Sequence, residues 1–268
     1  MGKIRAVILD WAGTAVDFGC FAPVDAFAAA FEAFGIEPTA EEIRAPMGLA
    51  KRAHIEKMLQ GERLRALWRE RHGREWAEGD VAEIYARFEP ALFGALEDHA
   101  GLLPGVAGLA RGLRAMGVAI GSTTGYTRAM MDELAPLAAK RGYAPDCIVC
   151  PEDAGGIGRP SPYMLWRCLE RLGVQSIAEA AKIGDTDADI REGKNAGCIA
   201  VGVLAGSSMV GLGEEQHRRM GEQDRAALFA QARLSYEAAG ADYVLDDISG
   251  LIGLIEQIEQ AEESSKLS

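Results

Sequence analysis

Ile4-Arg5-Ala6-Val7-Ile8-Leu9-Asp10-Trp11-Ala12-Gly13-Thr14 is the stretch on which the fold turns. Apart from Arg5, the residues from Ile4 to Leu9 are apolar, and Ile4, Val7 and Ile8 are β-branched. The run stops at Asp10, and Gly13 supplies a break. A short apolar run bounded in this way reads as a strand buried on both faces and ending at an acid. Working outward, further strand-like runs fall at 118–122, 147–150, 181–184, 199–204 and 243–245. Helical periodicity separates them at 106–116, 128–140, 163–172 and 189–196. Strands alternating with helices predict an α/β, Rossmann-like parallel sheet with helices on both faces.

Residues 20–98 break that alternation. They are rich in Ala, Glu, Arg and Leu, carry helical periodicity at 22–34, 40–44, 49–60, 63–71 and 80–92, and lack a convincing strand. An all-helical block inserted after the first strand reads as a cap domain. The expected division is an α/β core of residues 1–19 and 99–268, with a helical cap over 20–98. Residues 262–268 read as a charged, polar tail that frays.

At 268 residues the chain can build one large core, or a core with a small second domain. A hydrophobic content of 49% and a charged content of 25% place it among globular chains. The net charge of -12 argues against a nucleic-acid partner, because phosphate backbones reward clustered Lys and Arg. A small phosphorylated ligand stays open, since a pocket can be locally positive. No uncharged apolar stretch reaches membrane-spanning length, so no membrane partner is expected. The start of the chain has no signal-peptide pattern, which makes the expected location cytoplasmic. Cys147-Ile148-Val149-Cys150 fits C-x-x-C but has no second pair, so it reads as two strand cysteines rather than a zinc or redox site.

Ligands of open parallel sheets bind outside the carboxyl ends of the strands. Four such ends carry suitable residues: Asp10, then Thr124, then Arg159 before Pro160, then Asp185 with Asp189 four residues on. A carboxylate can attack phosphorus and form an aspartyl-phosphate. Thr124 and Arg159 can hydrogen-bond and neutralise phosphoryl oxygens. Asp10, a backbone carbonyl and Asp185 offer hard oxygen ligands of the kind Mg²⁺ prefers. Singly, each residue has a plain reading as a turn or cap residue. Their joint occurrence in this order at strand ends does not.

Asp10-Trp11-Ala12-Gly13-Thr14, Thr124-Gly125, Arg159-Pro160-Ser161-Pro162, and Gly184-Asp185 followed by Asp189 resemble the four motifs of the haloacid dehalogenase superfamily. The resemblance covers essentially the whole chain, with the helical insert at the position of the C1 cap. That superfamily's first motif normally reads Asp-x-Asp, with the second aspartate as general acid; here the position is Ala12. More narrowly, residues 17–23, Pro46-Met47-Gly48-Leu49 and residues 121–128 resemble the phosphonoacetaldehyde hydrolase (phosphonatase) family.

The narrower resemblance implies cleavage of the C–P bond of phosphonoacetaldehyde to acetaldehyde and phosphate. It implies Lys51 as the amine that forms a Schiff base, Asp10 as nucleophile, and Mg²⁺ held by Asp10, the Ala12 carbonyl, Asp185 and Asp189. Lys51 must be neutral to condense, so its pKa is expected below the usual value of about 10.4. His54, three residues on along the same helical face, could move protons. Tyr126, Met47, Gly48 and Cys20 border the lysine and the aldehyde by the same resemblance, and a homodimer through the cap helices is implied. Three rivals remain: a phosphate-ester hydrolase or phosphomutase, which needs an acid where Ala12 stands; a dehalogenase, which needs no metal; and a non-catalytic phospho-ligand sensor.

Overall fold

The computed structural model describes residues 3–266. Its strands are β1 (Ala6–Leu9), β2 (Ala119–Thr123), β3 (Cys147–Val149), β4 (Ala180–Gly184), β5 (Ile199–Val203) and β6 (Tyr243–Leu245). They form one sheet in the order β3-β2-β1-β4-β5-β6, and every pairing is parallel. All four residues of β1 are buried, as its unbroken apolar run requires for a strand flanked by β2 and β4. The α/β parallel-sheet expectation is borne out.

Five helices lie between β1 and the return to the sheet: α1 (Phe21–Glu32), α2 (Ala40–Arg44), α3 (Lys51–Gln60), α4 (Glu62–His72) and α5 (Glu78–Ala95). α1 and α5 bury Phe27, Phe31 and Phe88 in one apolar cluster, where Phe27 stacks on Phe88 with ring centroids 4.1 Å apart. The two ends of this insert are tied together. Val16 bridges Leu102, and the Asp17 N–H donates to the Gly101 carbonyl at 3.1 Å. Asp17 also caps α1, accepting from the Phe21 and Ala22 N–H groups at 3.1 and 3.0 Å.

The sheet is covered by α6 (Val106–Ala115), α7 (Arg128–Lys140), α8 (Tyr163–Leu172), α9 (Asp187–Ala196), α10 (Glu214–Arg219), α11 (Glu222–Ala239) and α12 (Leu251–Lys266). Thr186 caps α9 through its hydroxyl, which accepts from the Asp189 N–H at 3.2 Å, and Gly197 in the left-handed region ends it. α9 begins two residues before the expected 189–196, since that cap fixes its start. α10 to α12 were not anticipated from periodicity. α11 buries only Ala232 and Tyr236, so its apolar stripe is faint in the sequence. The tail expected to fray is helical as far as Lys266, and residues 267 and 268 lie outside the described residues. No described helix is long and apolar enough to cross a membrane.

Candidate active site

Asp10 leaves β1 with its N–H bonded to the Ile183 carbonyl at 3.0 Å, which aims the side chain beyond the carboxyl edge of the sheet. Arg159 meets it there: Nη2 donates to Asp10 Oδ1 at 2.7 Å and to the Thr123 carbonyl at 2.5 Å. Burial raises the Asp10 carboxyl, and the charge of Arg159 opposes that rise. Thr124 follows β2 and turns its Oγ1 to the Tyr126 N–H at 3.1 Å.

Asp185 follows β4 and is fully buried. Its Oδ1 accepts from Thr14 Oγ1 at 3.0 Å and its Oδ2 from the Ser208 N–H at 2.9 Å. Asp10, Asp185 and Asp189 can each bring one oxygen into a set lying within 4.8 Å of one another. Burial pushes the Asp185 carboxyl up to about 8, and the charges of Asp10 and Asp189 push the same way. Buried hard oxygens with surplus negative charge fit a divalent cation. Asp189 differs from the other two, because its Oδ1 lies 2.9 Å from both Arg159 Nη1 and Lys182 Nζ. Burial raises its carboxyl, but those two cations outweigh the burial and hold it low.

Lys51 opens α3 and is only 5% exposed. Its Nζ lies 4.5 Å from the centre of the Tyr126 ring and 5.8 Å from that of Phe27. Burial pulls the ammonium down to about 8 against the opposing charges of Asp10 and Asp17. Burial also pushes the Cys20 thiol and the Tyr126 hydroxyl well up, so both stay neutral.

His54 lies behind the lysine. Its Nε2 is 2.8 Å from the Ile43 carbonyl, which can only accept, so Nε2 carries the proton and Nδ1 is left without a partner. The ring stacks on Phe27 at 3.9 Å, and burial followed by the Lys51 charge holds it well below the usual histidine range.

Asp10, Ala12, Cys20, Met47, Gly48, Lys51, Thr124, Tyr126 and Arg159 share one cavity of about 20 Å³, with Gly125 and Thr186 completing its wall. Residues from the insert and from three strand ends therefore meet in a space of about one water. His54, Asp185 and Asp189 do not line it; the two acids lie beneath Asp10 and Arg159. A second, larger cavity of about 590 Å³ runs alongside and shares Met47 and Thr186.

Sequence reasoning passed over Thr14, Thr123, Lys182, Glu192 and Ser208, all fully buried around these carboxylates. A signal existed for one of them. Lys182 is a charged residue inside an otherwise apolar strand, and such a residue is buried only with partners. The loop at 206–208, likewise passed over, delivers the Ser208 N–H to Asp185.

A haloacid dehalogenase-like hydrolase profile matches residues 4–197. A protein of Lysinibacillus sphaericus described as phosphonoacetaldehyde hydrolase is 42% identical over 249 residues, 93% of each chain. The chain belongs to the phosphonoacetaldehyde hydrolase family. It is a hydrolase of the haloacid dehalogenase superfamily. A Clostridioides difficile relative, 43% identical over 93% of this chain, is described as a bifunctional phosphonoacetaldehyde hydrolase/aminoethylphosphonate transaminase, and the match spans 39% of its length. The crystal structure of a phosphonoacetaldehyde hydrolase-like protein from Oleispira antarctica superposes with a TM-score of 0.94 at 34% identity, covering 97% of this chain and 94% of that one.

Proposed function

We propose that this enzyme hydrolyses the C–P bond of phosphonoacetaldehyde to acetaldehyde and phosphate. The observation that carries the reading is Lys51, buried with a pKa of about 8 in the same small cavity as Asp10 and Arg159. A C–P bond cannot break like an ester, because the departing carbon would be an unstabilised carbanion. Condensation of the Lys51 amine with the aldehyde expels water and gives an iminium that can take the electron pair. Asp10 then attacks phosphorus, the C–P pair moves into an enamine, and the phosphoryl group passes to Asp10. Protonation of the enamine and hydrolysis of the resulting imine release acetaldehyde and return the amine. A second water releases phosphate from Asp10.

This route explains Ala12, since no alkoxide leaves and no neighbouring acid is needed. Arg159 and Thr124 steady the phosphoryl oxygens during transfer. Tyr126, Met47, Gly48 and Cys20 wall the carbon end. His54, neutral and outside the cavity wall, backs the Lys51 end of α3 through its Nε2 bond to the Ile43 carbonyl. Asp10, the Ala12 carbonyl and Asp185 would hold Mg²⁺, with Asp189 beside them. When bound, the ion neutralises the carboxylates and phosphoryl oxygens so that anion can approach anion.

Residues 20–98 act as a cap in this reading. A cavity of about 20 Å³ is too small for the substrate, so the insert must move away from the sheet to admit it. The deciding experiment is Mg²⁺-dependent phosphate release from phosphonoacetaldehyde beside phenyl phosphate at equal concentration. Release from the phosphonate, abolished by a chelator, is expected. Release from the ester alone would make the protein a phosphate-ester hydrolase.

A further inference from the structure

Beneath Asp10 four formal charges are sealed from water: Arg159, Lys182, Asp189 and Glu192, each with a fully buried side chain. Glu192 Oε2 accepts from Arg159 Nε at 3.0 Å and from Thr123 Oγ1 at 2.8 Å, and Lys182 Nζ lies 3.3 Å from it. Lys182 Nζ stands on a tripod completed by Thr123 Oγ1 and Asp189 Oδ1, both at 2.9 Å. Arg159 is thereby hydrogen-bonded through Nε to Glu192 and through Nη2 to Thr123 and Asp10, while Nη1 stands 2.9 Å from Asp189 Oδ1 as an ion pair without a hydrogen bond.

The backbone is built to admit this cluster. A Cβ on Gly193 would fall 3.0 Å from Lys182 Cβ and 3.1 Å from Ala200 Cβ, so a glycine lets α9 settle over the lysine stem. Burying four charges is a poor route to stability, because apolar residues of similar volume often serve as well or better. Fixing one guanidinium edge toward a reacting group is what such a cluster does well.

We propose that Glu192 and Lys182 are positioning residues for the phosphoryl site. Glu192 holds the Nε side of Arg159 so that its Nη2 edge faces Asp10. Lys182 balances Glu192 and Asp189, so that Arg159 is not drawn away from the phosphoryl group by a surplus of anions below it. The cluster without Asp10 is formally neutral, two cations against two anions. Loss of the lysine leaves Arg159 alone with both acids.

This inference rests on the proposed reading only in placing a phosphoryl group against Arg159. It is tested by calorimetric binding of inorganic phosphate in the presence of Mg²⁺, which needs no turnover. Lys182→Met is expected to weaken phosphate at least tenfold. Glu192→Gln keeps an acceptor oxygen for Arg159 Nε and is expected to stay within threefold of the parent protein. Adding Glu192→Gln to Lys182→Met is expected to recover most of the lost affinity, which a merely structural lysine would not allow. Phosphate affinity within threefold of the parent in Lys182→Met, or no recovery in the double variant, overturns the proposal. If Lys182→Met does not fold, the neutral double variant decides alone: affinity within threefold of the parent supports the proposal, and a greater loss overturns it. Parent protein that binds phosphate but does not cleave phosphonoacetaldehyde would sink the proposed reaction and leave this test intact.

Discussion

Lys51 Nζ stands 4.5 Å from the centre of the Tyr126 ring, and the two residues reach that contact from opposite sides of the site. Lys51 begins α3 of the insert, whereas Tyr126 follows β2 of the sheet. The contact therefore exists only while insert and sheet are together. Its two physical effects oppose each other. An aromatic face favours the ammonium by about 0.5–2 kcal/mol, while burial favours the neutral amine and prevails, leaving Lys51 at about 8.

The pH dependence of kcat/KM follows from that balance. Imine formation needs the free amine, which is roughly a tenth of the population at pH 7 for a group titrating one unit higher. Activity is expected to rise with pH through about 8 and then level. Replacing Tyr126 by Leu removes the ring and should move this limb down by about half to one unit. A limb unmoved in Tyr126→Leu, or one lying above 10, would detach the limb from Lys51.

Stability should also rise with pH, whereas loss of the lysine should move stability and activity in opposite directions. The folded-state pKa of Lys51 lies below its unfolded value of 10.5, so between about 8 and 10.5 the unfolded chain binds more protons. Stability contributed by this group accordingly rises with pH across that window, and below it the full cost of the buried ammonium is present. Lys51→Met should raise the unfolding free energy at pH 7 by about 3 kcal/mol and lose C–P cleavage. The gain should shrink as the pH is raised from 8 to 10.5. Denaturant titrations at pH 7 and pH 10 measure both numbers.

Metal removal has a distinct signature. Asp185 is held by Thr14 and Ser208 with its carboxyl raised to about 8, so the metal-free fold carries an unfavourable acid. Saturating Mg²⁺ should raise the melting temperature, by the stabilisation of about 2.7 kcal/mol expected at one hundred times Kd. Asp185→Asn should abolish that rise while leaving the fold intact. A metal-induced rise that survives in Asp185→Asn would place the ion elsewhere.

The sheet was legible because β1 and β5 are unbroken buried apolar runs and β2 and β4 are buried with few polar residues, and runs of that kind have few other homes. The meeting of Asp10, Thr124, Arg159, Asp185 and Asp189 beyond the strand ends was legible through motif order. The inner shell was not. Lys182 stood out as a charge in a buried strand, but Glu192 lies at an ordinary helix position, and only the packing of α9 on β4 brings the two to Arg159. His54 shows the converse limit. Helical spacing set it on the Lys51 face, yet the Ile43 carbonyl and the Phe27 ring hold it outside the cavity wall. Spacing along one helix says nothing about which neighbouring element claims the side chain.

Closure of the insert can be probed at Gly125. A Cβ there would sit 2.6 Å from the Leu49 carbonyl oxygen and 3.2 Å from that of Gly48, both insert backbone. No flexible side chain can yield to it, so in Gly125→Ala the insert must stand off from the sheet. Lys51 lies two residues beyond Leu49 and would withdraw with it from Asp10 and Tyr126. A misplacement of about 1 Å at a reacting centre costs on the order of a hundredfold in rate. We expect kcat/KM for phosphonoacetaldehyde to fall by about that factor, with the Lys51 limb shifting toward higher pH as the amine gains water. Circular dichroism and the binding of Mg²⁺ should be unchanged, since Asp10, Asp185 and Asp189 belong to the sheet and to α9. A variant with parental kcat/KM would mean that the contact between Gly125 and Leu49 does not set the closed position.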